Sequence, residues 1–598
     1  MTRVYFDPLG ENCKSVIGGI REGQSVKFNV YSDGSDCELI LFDDFGGERT
    51  VGCKKNGDCF SVKLSELKKG LYFYKFRIDG QEVGNNEYGF AAISCEDKFQ
   101  LTVGDKNYVY PNTWQGGVIY QIFPDRFSKA NGFGDETGKR MRKWGEMPEY
   151  LPDSEGEIKN DDFFGGNFEG ITKKIPYLKR LGVTAIYLNP VVKAHSSHRY
   201  DTGDYLSFDP LLGTDEDFKR LAEKAKENGI KIIFDGVFNH VGDDSIYFNK
   251  YGSYNSCGAY NSKKSPYYKW FTFREYPNTY TSWWGIKTLP SIRRGASGFE
   301  ELILGDNGVI DRYFSFGVSG IRLDVVDELS DKFTEKINSK VKTYGSENIV
   351  IGEVWEDATN KIAYDERKQY FTRGELDSVM NYPLKDAITN YVISGNTNLI
   401  YKTVREQIDH YPGEALSLMM NVLGTHDTPR ILTVLGKSGK LAKDRKAMAK
   451  EILSADERIL GIKRLKCASL LQFTLYGIPS VYYGDEIGME GNKDPFNRKC
   501  FDEKNADAEI YDWYLFLSEL RSRHDCFKDG KTVNVKREGG VFSFSRADKS
   551  EAITVVINCG ERDADVVLSE KVTELVRNKK LSEMTLKTYE FAVFCKDE

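Results

Sequence analysis

From about residue 110 to residue 524, short apolar runs alternate with longer stretches of helical period, and the alternation repeats eight times. The runs fall at 118–123, 184–188, 231–237, 319–324, 348–353, 376–380, 419–424 and 480–483. A parallel strand covered on both faces by helices has no solvent side, so it reads as an unbroken apolar run. Between several runs lie helical stretches such as Asp215 to Asn228, stopped by Gly229. Eight strand–helix units in roughly 400 residues predict a (β/α)8 TIM barrel spanning 109–524. The longest interruption follows the third strand, at about 241–305. It is rich in Tyr, Asn, Ser and Trp and lacks helical period, so it is expected to be an insertion domain.

The flanks read differently. Residues 1–108 carry alternating runs such as Ser25–Tyr31 and Leu71–Ile78, punctuated by Asp33-Gly34, Gly46-Gly47 and Asp79-Gly80, which predicts an amino-terminal β-sandwich. Residues 525–598 turn β-like again, predicting a carboxy-terminal β-sandwich. The uncharged run Cys467–Gly484 contains Gln472, Gly477 and Pro479, and reads as a buried helix followed by a strand rather than a membrane span. A net charge of −7 without a basic stretch argues against nucleic acid as a partner. The start, Met1 to Pro8, lacks a basic segment leading into an apolar one, so no secretion signal is read and the cytoplasm is the expected location. The 11 cysteines are scattered, and Cys53 and Cys59 have no matching second pair, so reduced thiols are expected and zinc is not.

In such barrels the active site lies at the carboxyl ends of the strands. Strand three ends at Asp235 with Asn239-His240 following. Strand four ends Arg322-Leu-Asp324, strand five Gly352-Glu353-Val-Trp355, and strand seven runs into His426-Asp427. The loop after strand two carries His198-Arg-Tyr200-Asp201. Taken singly, a strand-end Asp is more often a cap, and Arg-x-Asp a salt bridge. Their joint occurrence at the ends of strands three, four, five and seven is not what those readings predict. Asp324, Glu353 and Asp427 would converge on one mouth without metal-ligand spacing, and two carboxylates so placed are what glycosidic-bond cleavage requires. Arg322 shares a strand face with Asp324 and is expected to keep it ionised. Trp355 offers an aromatic face for a sugar ring.

These stretches resemble, in order, the four short motifs of the alpha-amylase family of glycoside hydrolases. They are Asp235–His240, Gly320–Glu328, Gly352–Trp355 and Asn421–Asp427. Within the family the chain is similar to the neopullulanase, maltogenic amylase and cyclomaltodextrinase group, through Ile119–Arg126, His198–Tyr205, Ser282–Pro290, Glu328 and Val379–Pro383. The resemblance implies Asp324 as nucleophile, Glu353 as general acid/base and Asp427 as the carboxylate that grips the ring. It implies substrate contacts from His198, Tyr200, His240, Arg322, Trp355, His426, Asp494 and Arg498. No cofactor is required for the chemistry. The group's structural Ca2+ has Asn131, Asp135 and Asn167 as candidate ligands, with ordinary turn residues as the other reading. The implied activity is a retaining, endo-acting α-glucan hydrolase cleaving α-1,4, and α-1,6 as a further option, in starch, maltodextrins, pullulan or cyclodextrins. An α-glucan transglycosylase and a non-catalytic glucan-binding protein are the alternatives. The expected partners are α-glucans, with a homodimer as the assembly the group suggests.

Overall fold

The computed structural model describes residues 3–130, 138–154, 156 and 158–596. Its centre is an eight-stranded parallel sheet of Ile119–Ile122 (β1), Ala185–Leu188 (β2), Lys231–Gly236 (β3), Gly320–Leu323 (β4), Ile349–Gly352 (β5), Ser378–Val379 (β6), Met420–Val422 (β7) and Ile478–Tyr482 (β8). Neighbours follow the order β6-β5-β4-β3-β2-β1-β8-β7. A bridge between Met380 and Met420, with Asn381 N–H donating to Met420 O at 2.8 Å, joins β6 to β7 and closes the barrel.

All eight predicted strands are present, and their lengths depend on local chemistry. The sixth is reduced to two residues because the Asp377 carboxylate takes the Val350 N–H at 2.8 Å, a place where a ladder bond would otherwise stand. The eighth begins two residues early, directly after Gly477, whose φ of +85° makes the turn out of the helix Ala455–Thr474. The helix Asp215–Glu227 starts at a reciprocal capping box between Thr214 and Asp217. It buries Phe218, Leu221, Ala222 and Ala225 along one face, at the spacing that an amphipathic helix needs.

Before the barrel stand a four-stranded and a seven-stranded sheet. Inward residues of both, among them Phe28, Val30 and Phe60 from one and Leu39, Tyr74, Phe76 and Phe99 from the other, form a single apolar core. The two sheets therefore pack as a sandwich. One pair within it, Phe99–Gly104 with Ile20–Arg21, runs parallel. After the barrel, six strands form one antiparallel sheet over Lys531–Cys595. The segment after β3 is mostly turns and short helices around an aromatic cluster, with Phe248 against Phe271, Phe273 and Tyr280. Among the described residues, no helix is long and apolar enough to cross a membrane.

The sandwich is fixed to the barrel by charge as well as by apolar contact. Lys14 Nζ lies 2.5 Å from Asp409 Oδ1, with the lysine side chain fully buried and the aspartate nearly so. Arg405 reaches Asp7 at 2.6 Å and Arg367 reaches Asp44 at 2.9 Å. Removing one member of a buried pair leaves the other charge without compensation. Lys14→Met is therefore expected to destabilise the protein by about 3–5 kcal/mol in denaturant unfolding, and adding Asp409→Leu should restore most of the loss. A Lys14→Met protein as stable as wild type would show that the pair does not hold the two parts together.

Candidate active site

The register of the barrel gathers the candidate residues. In the ladder Asp235 stands opposite Arg322, so both side chains enter the barrel on one level. The buried guanidinium serves three carboxylates. Its Nη1 lies 2.8 Å from Asp235 Oδ1 and 2.9 Å from Asp324 Oδ1, and its Nη2 lies 2.8 Å from Glu353 Oε2. The next residue, Val325, has φ 43° and ψ 50°. A β-branched side chain disfavours this left-handed region strongly. The turn directs Val325 N–H at Glu353 Oε2, 2.9 Å away, while Trp355 Nε1 donates to Glu353 Oε1 at 3.1 Å. Trp355 lies face to face on Tyr382, ring centres 3.7 Å apart, and remains about half exposed.

A second set of side chains meets the first at Asp235. Tyr200 OH donates to Asp235 Oδ2 at 2.7 Å and Tyr187 OH to the same oxygen at 2.6 Å. Tyr200 also accepts from Asn189 Nδ2 at 2.9 Å and touches His426 Nε2 at 2.6 Å, with the two rings parallel at 5.1 Å. Gln121 Nε2 faces His426 Nδ1 at 2.8 Å, which assigns the imidazole proton to Nε2. That nitrogen also lies 3.0 Å from Asp427 Oδ2. Arg498 holds the other side of Asp427, with Nη2 at 3.4 Å from Oδ1, and pairs with Asp494 at 2.9 Å. His198 accepts from Tyr200 N–H at 3.1 Å. His240 faces Tyr200 O at 3.1 Å and stacks on Trp283 at 5.3 Å. All eleven catalytic and substrate-contact candidates thus belong to one connected group at the carboxyl end of the barrel.

The electrostatics differ in one respect from expectation. Burial pushes the Asp324 carboxyl well above the usual carboxylate range. Glu353, Asp235 and Asp427 add to that rise, and Arg322 opposes it without prevailing. The sequence assigned Arg322 to keep Asp324 ionised, but one cation is divided among three carboxylates here. Asp427, a third of its side chain exposed, is also raised by burial, against Arg498 and Arg322. Burial lowers His240 to about 4. Burial, with Arg498 next, lowers His198 and His426 well below the usual range. The three imidazoles are therefore neutral at pH 7 and act as hydrogen-bonding groups rather than cations.

Glu328, which the sequence marked without a role, is the hub of an aromatic rim. Trp283 Nε1, Trp284 Nε1 and Tyr364 OH all donate to its Oε1, at 3.1, 3.0 and 2.9 Å, and Asn239 Nδ2 donates to Oε2 at 2.9 Å. Trp284 is 80% exposed, which leaves its face open beside the mouth. A cavity of about 280 Å³ lies behind this rim, lined in part by Asn239, Arg294, Phe333 and Tyr364.

Of the candidate calcium ligands, Asn131 and Asp135 lie outside the described residues. Asn167 is the N-cap of the helix Phe168–Arg180. Its Oδ1 accepts from Gly170 N–H at 2.8 Å and Ala130 N–H at 3.3 Å, so that oxygen already faces two backbone donors and does not fit a cation ligand.

A model of the alpha-amylase catalytic domain matches residues 121–291 and 303–535. The chain belongs to the alpha-amylase family. It is 32% identical to an amylopullulanase of Thermoanaerobacter thermohydrosulfuricus over 91% of its own length. It spans only 41% of that relative, so it covers less than half of the longer protein. It is 32% identical to a cyclomaltodextrinase of Thermoanaerobacter pseudethanolicus, covering 86% of this chain and 83% of that one. The type III pullulan hydrolase of Thermococcus kodakarensis shares the fold with a TM-score of 0.69 at 24% identity, covering 99% and 100% of the two chains.

Several residues of this alpha-amylase family site carry no assignment from sequence. Gln121 and Tyr187 interrupt otherwise apolar strands, Ile-Tyr-Gln-Ile and Ala-Ile-Tyr-Leu, and point into the barrel. A polar atom in a strand buried on both faces was the available signal. Val325 gave none, because its importance lies in a backbone angle.

Proposed function

We propose that the protein is a retaining, endo-acting α-glucan hydrolase that opens α-1,4 glucosidic bonds. The observation that carries this reading is the placement of Asp324 and Glu353 on two nitrogens of one buried guanidinium, at a mouth where Asp427 and Trp355 reach solvent. Asp324 attacks the anomeric carbon as the bond to the bridging oxygen breaks. That oxygen keeps the bonding pair and takes the proton of Glu353, leaving a glycosyl ester on Asp324. Glu353, now a carboxylate, removes a proton from water. The water oxygen displaces Asp324 and returns the anomeric carbon to its first configuration. Val325 N–H and Trp355 Nε1 fix the direction in which Glu353 offers its proton. Asp427, His426 and Arg498 bind hydroxyls of the reacting ring, with Tyr200 against its face.

The names of the relatives, amylopullulanase, cyclomaltodextrinase and pullulan hydrolase, support starch-like glucans as the substrate class. With pullulan, panose is expected as the main product on chromatography, because it reports cleavage of an α-1,4 bond. Maltotriose in its place would assign the enzyme to α-1,6 bonds. An absence of new reducing ends from pullulan, soluble starch and cyclodextrins alike would overturn the hydrolase reading.

A further inference from the structure

Away from the barrel mouth, three side chains from separated parts of the chain meet where the barrel joins the carboxy-terminal sheet. His524 is the residue after the helix Ala508–Arg523, Glu551 precedes the strand Ala552–Asn558, and Cys595 ends the strand Glu590–Cys595. The ladder places Cys595 opposite Ile553, two residues beyond Glu551. An imidazole nitrogen, a carboxylate oxygen and a thiol sulfur, one from each residue, lie within 4.8 Å of one another. His524 Nδ1 is 2.8 Å from Glu551 Oε2, and all three residues are partly exposed. Cys526 braces the carboxylate from the protein side. Its N–H donates to Glu551 Oε1 at 3.1 Å. The Cys595 thiol also reaches Lys596 O at 3.6 Å.

A hydrogen bond joins His524 and Glu551, and the Cys595 thiol brings a third kind of donor to the same point. Nitrogen, sulfur and carboxylate oxygen at one point are the donors of a tetrahedral zinc site, with bonds of about 2.0–2.3 Å and donor separations of about 3.4–3.8 Å. From a spread of at most 4.8 Å, the three partly exposed side chains need to draw together by only about 1 Å to reach that separation. Thiolate and imidazole donors favour zinc-like metals over calcium or magnesium, which take oxygen. We propose that His524, Glu551 and Cys595 bind a divalent transition metal of the zinc type, with water in the fourth position. On binding, the Cys595 thiol proton leaves to solvent and His524 coordinates as the neutral imidazole. The metal would then tie the end of the last barrel helix to two strands of the following sheet. His524, Glu551 and Cys595 are far apart in the sequence and match no compact ligand pattern, so the sequence carries no sign of them.

The test uses the full chain, stripped with a chelator, dialysed under reducing conditions and titrated with Zn2+ and separately with Co2+. One equivalent of Zn2+ should bind and raise the melting temperature. Co2+ should give the strong visible bands of a tetrahedral site and a near-ultraviolet thiolate charge-transfer band. Cys595→Ser should remove that band, and both Cys595→Ser and His524→Gln should weaken Zn2+ binding by at least about 100-fold. The metal-free melting of each variant, compared with metal-free wild type, shows that its fold is intact; if one variant is unfolded, the other decides. A wild type that binds no equivalent, or a folded variant that binds Zn2+ and Co2+ as wild type does, overturns the assignment.

Discussion

Asp324→Asn is expected to abolish turnover on starch, by several powers of ten, while leaving the protein folded and no less stable. The side chain keeps its size and loses the charge that would form the bond to the anomeric carbon. Its surroundings predict the second half of the result. Burial and three neighbouring carboxylates raise the Asp324 pKa in the folded protein, so ionisation there is unfavourable. Between the unfolded and folded pKa values the native state holds more protons, and stability falls as pH rises through that window. A neutral Asn removes this cost at neutral pH, and Arg322 still has Asp235 and Glu353 as partners. The thermal melt at pH 7 should therefore be unchanged or shifted upward. Retention of a tenth of wild-type activity in protein free of deamidation would sink the assignment of Asp324.

Glu353→Gln should fail in a different way. The proton from Glu353 is needed only when the leaving group is poor, as a sugar is. On α-maltosyl fluoride, whose fluoride leaves without protonation, the first step should be far less impaired than on starch. The second step still lacks its base, so the glycosyl-enzyme should accumulate, and added azide should release it as the α-glycosyl azide after two inversions. Asp324→Asn should give no such rescue through an intermediate, because the attacking group is gone. A β-configured azide, or equal loss on starch and on the fluoride, would mean that the two roles or the retaining course are misassigned. The amide can still accept from Val325 N–H, so the defect should lie in the proton and not in the position of the side chain.

The parts of this site that could be read from sequence were those fixed by strand register. Asp235, Arg322, Asp324 and Glu353 occupy the ends of consecutive strands, and a parallel barrel brings such ends to one level whatever the loops do. His198, Tyr200 and Asp494 lie in loops, and their roles as substrate contacts came only from resemblance. The dividing of Arg322 among three carboxylates could not be anticipated, because the Arg-x-Asp pattern shows one partner and the other two come from neighbouring strands. The convergence of Trp283, Trp284 and Tyr364 on one oxygen of Glu328 likewise depends on the path of two loops. The shortening of β6 was hidden for a related reason, since it follows from a side chain that substitutes for the backbone as a hydrogen-bond partner.

The left-handed backbone at Val325 has a consequence for how this chain can change. A β-branched residue held there stores of the order of 1–3 kcal/mol, which Gly or Asn in the same place would largely release. The N–H that the turn aims at Glu353 belongs to the backbone, so the substitution would keep the donor while loosening the geometry that directs it. Laboratory selection for heat resistance and selection for turnover therefore pull residue 325 in opposite directions. A library screened on stability alone would drift away from valine at the position that stands between the two proposed catalytic carboxylates.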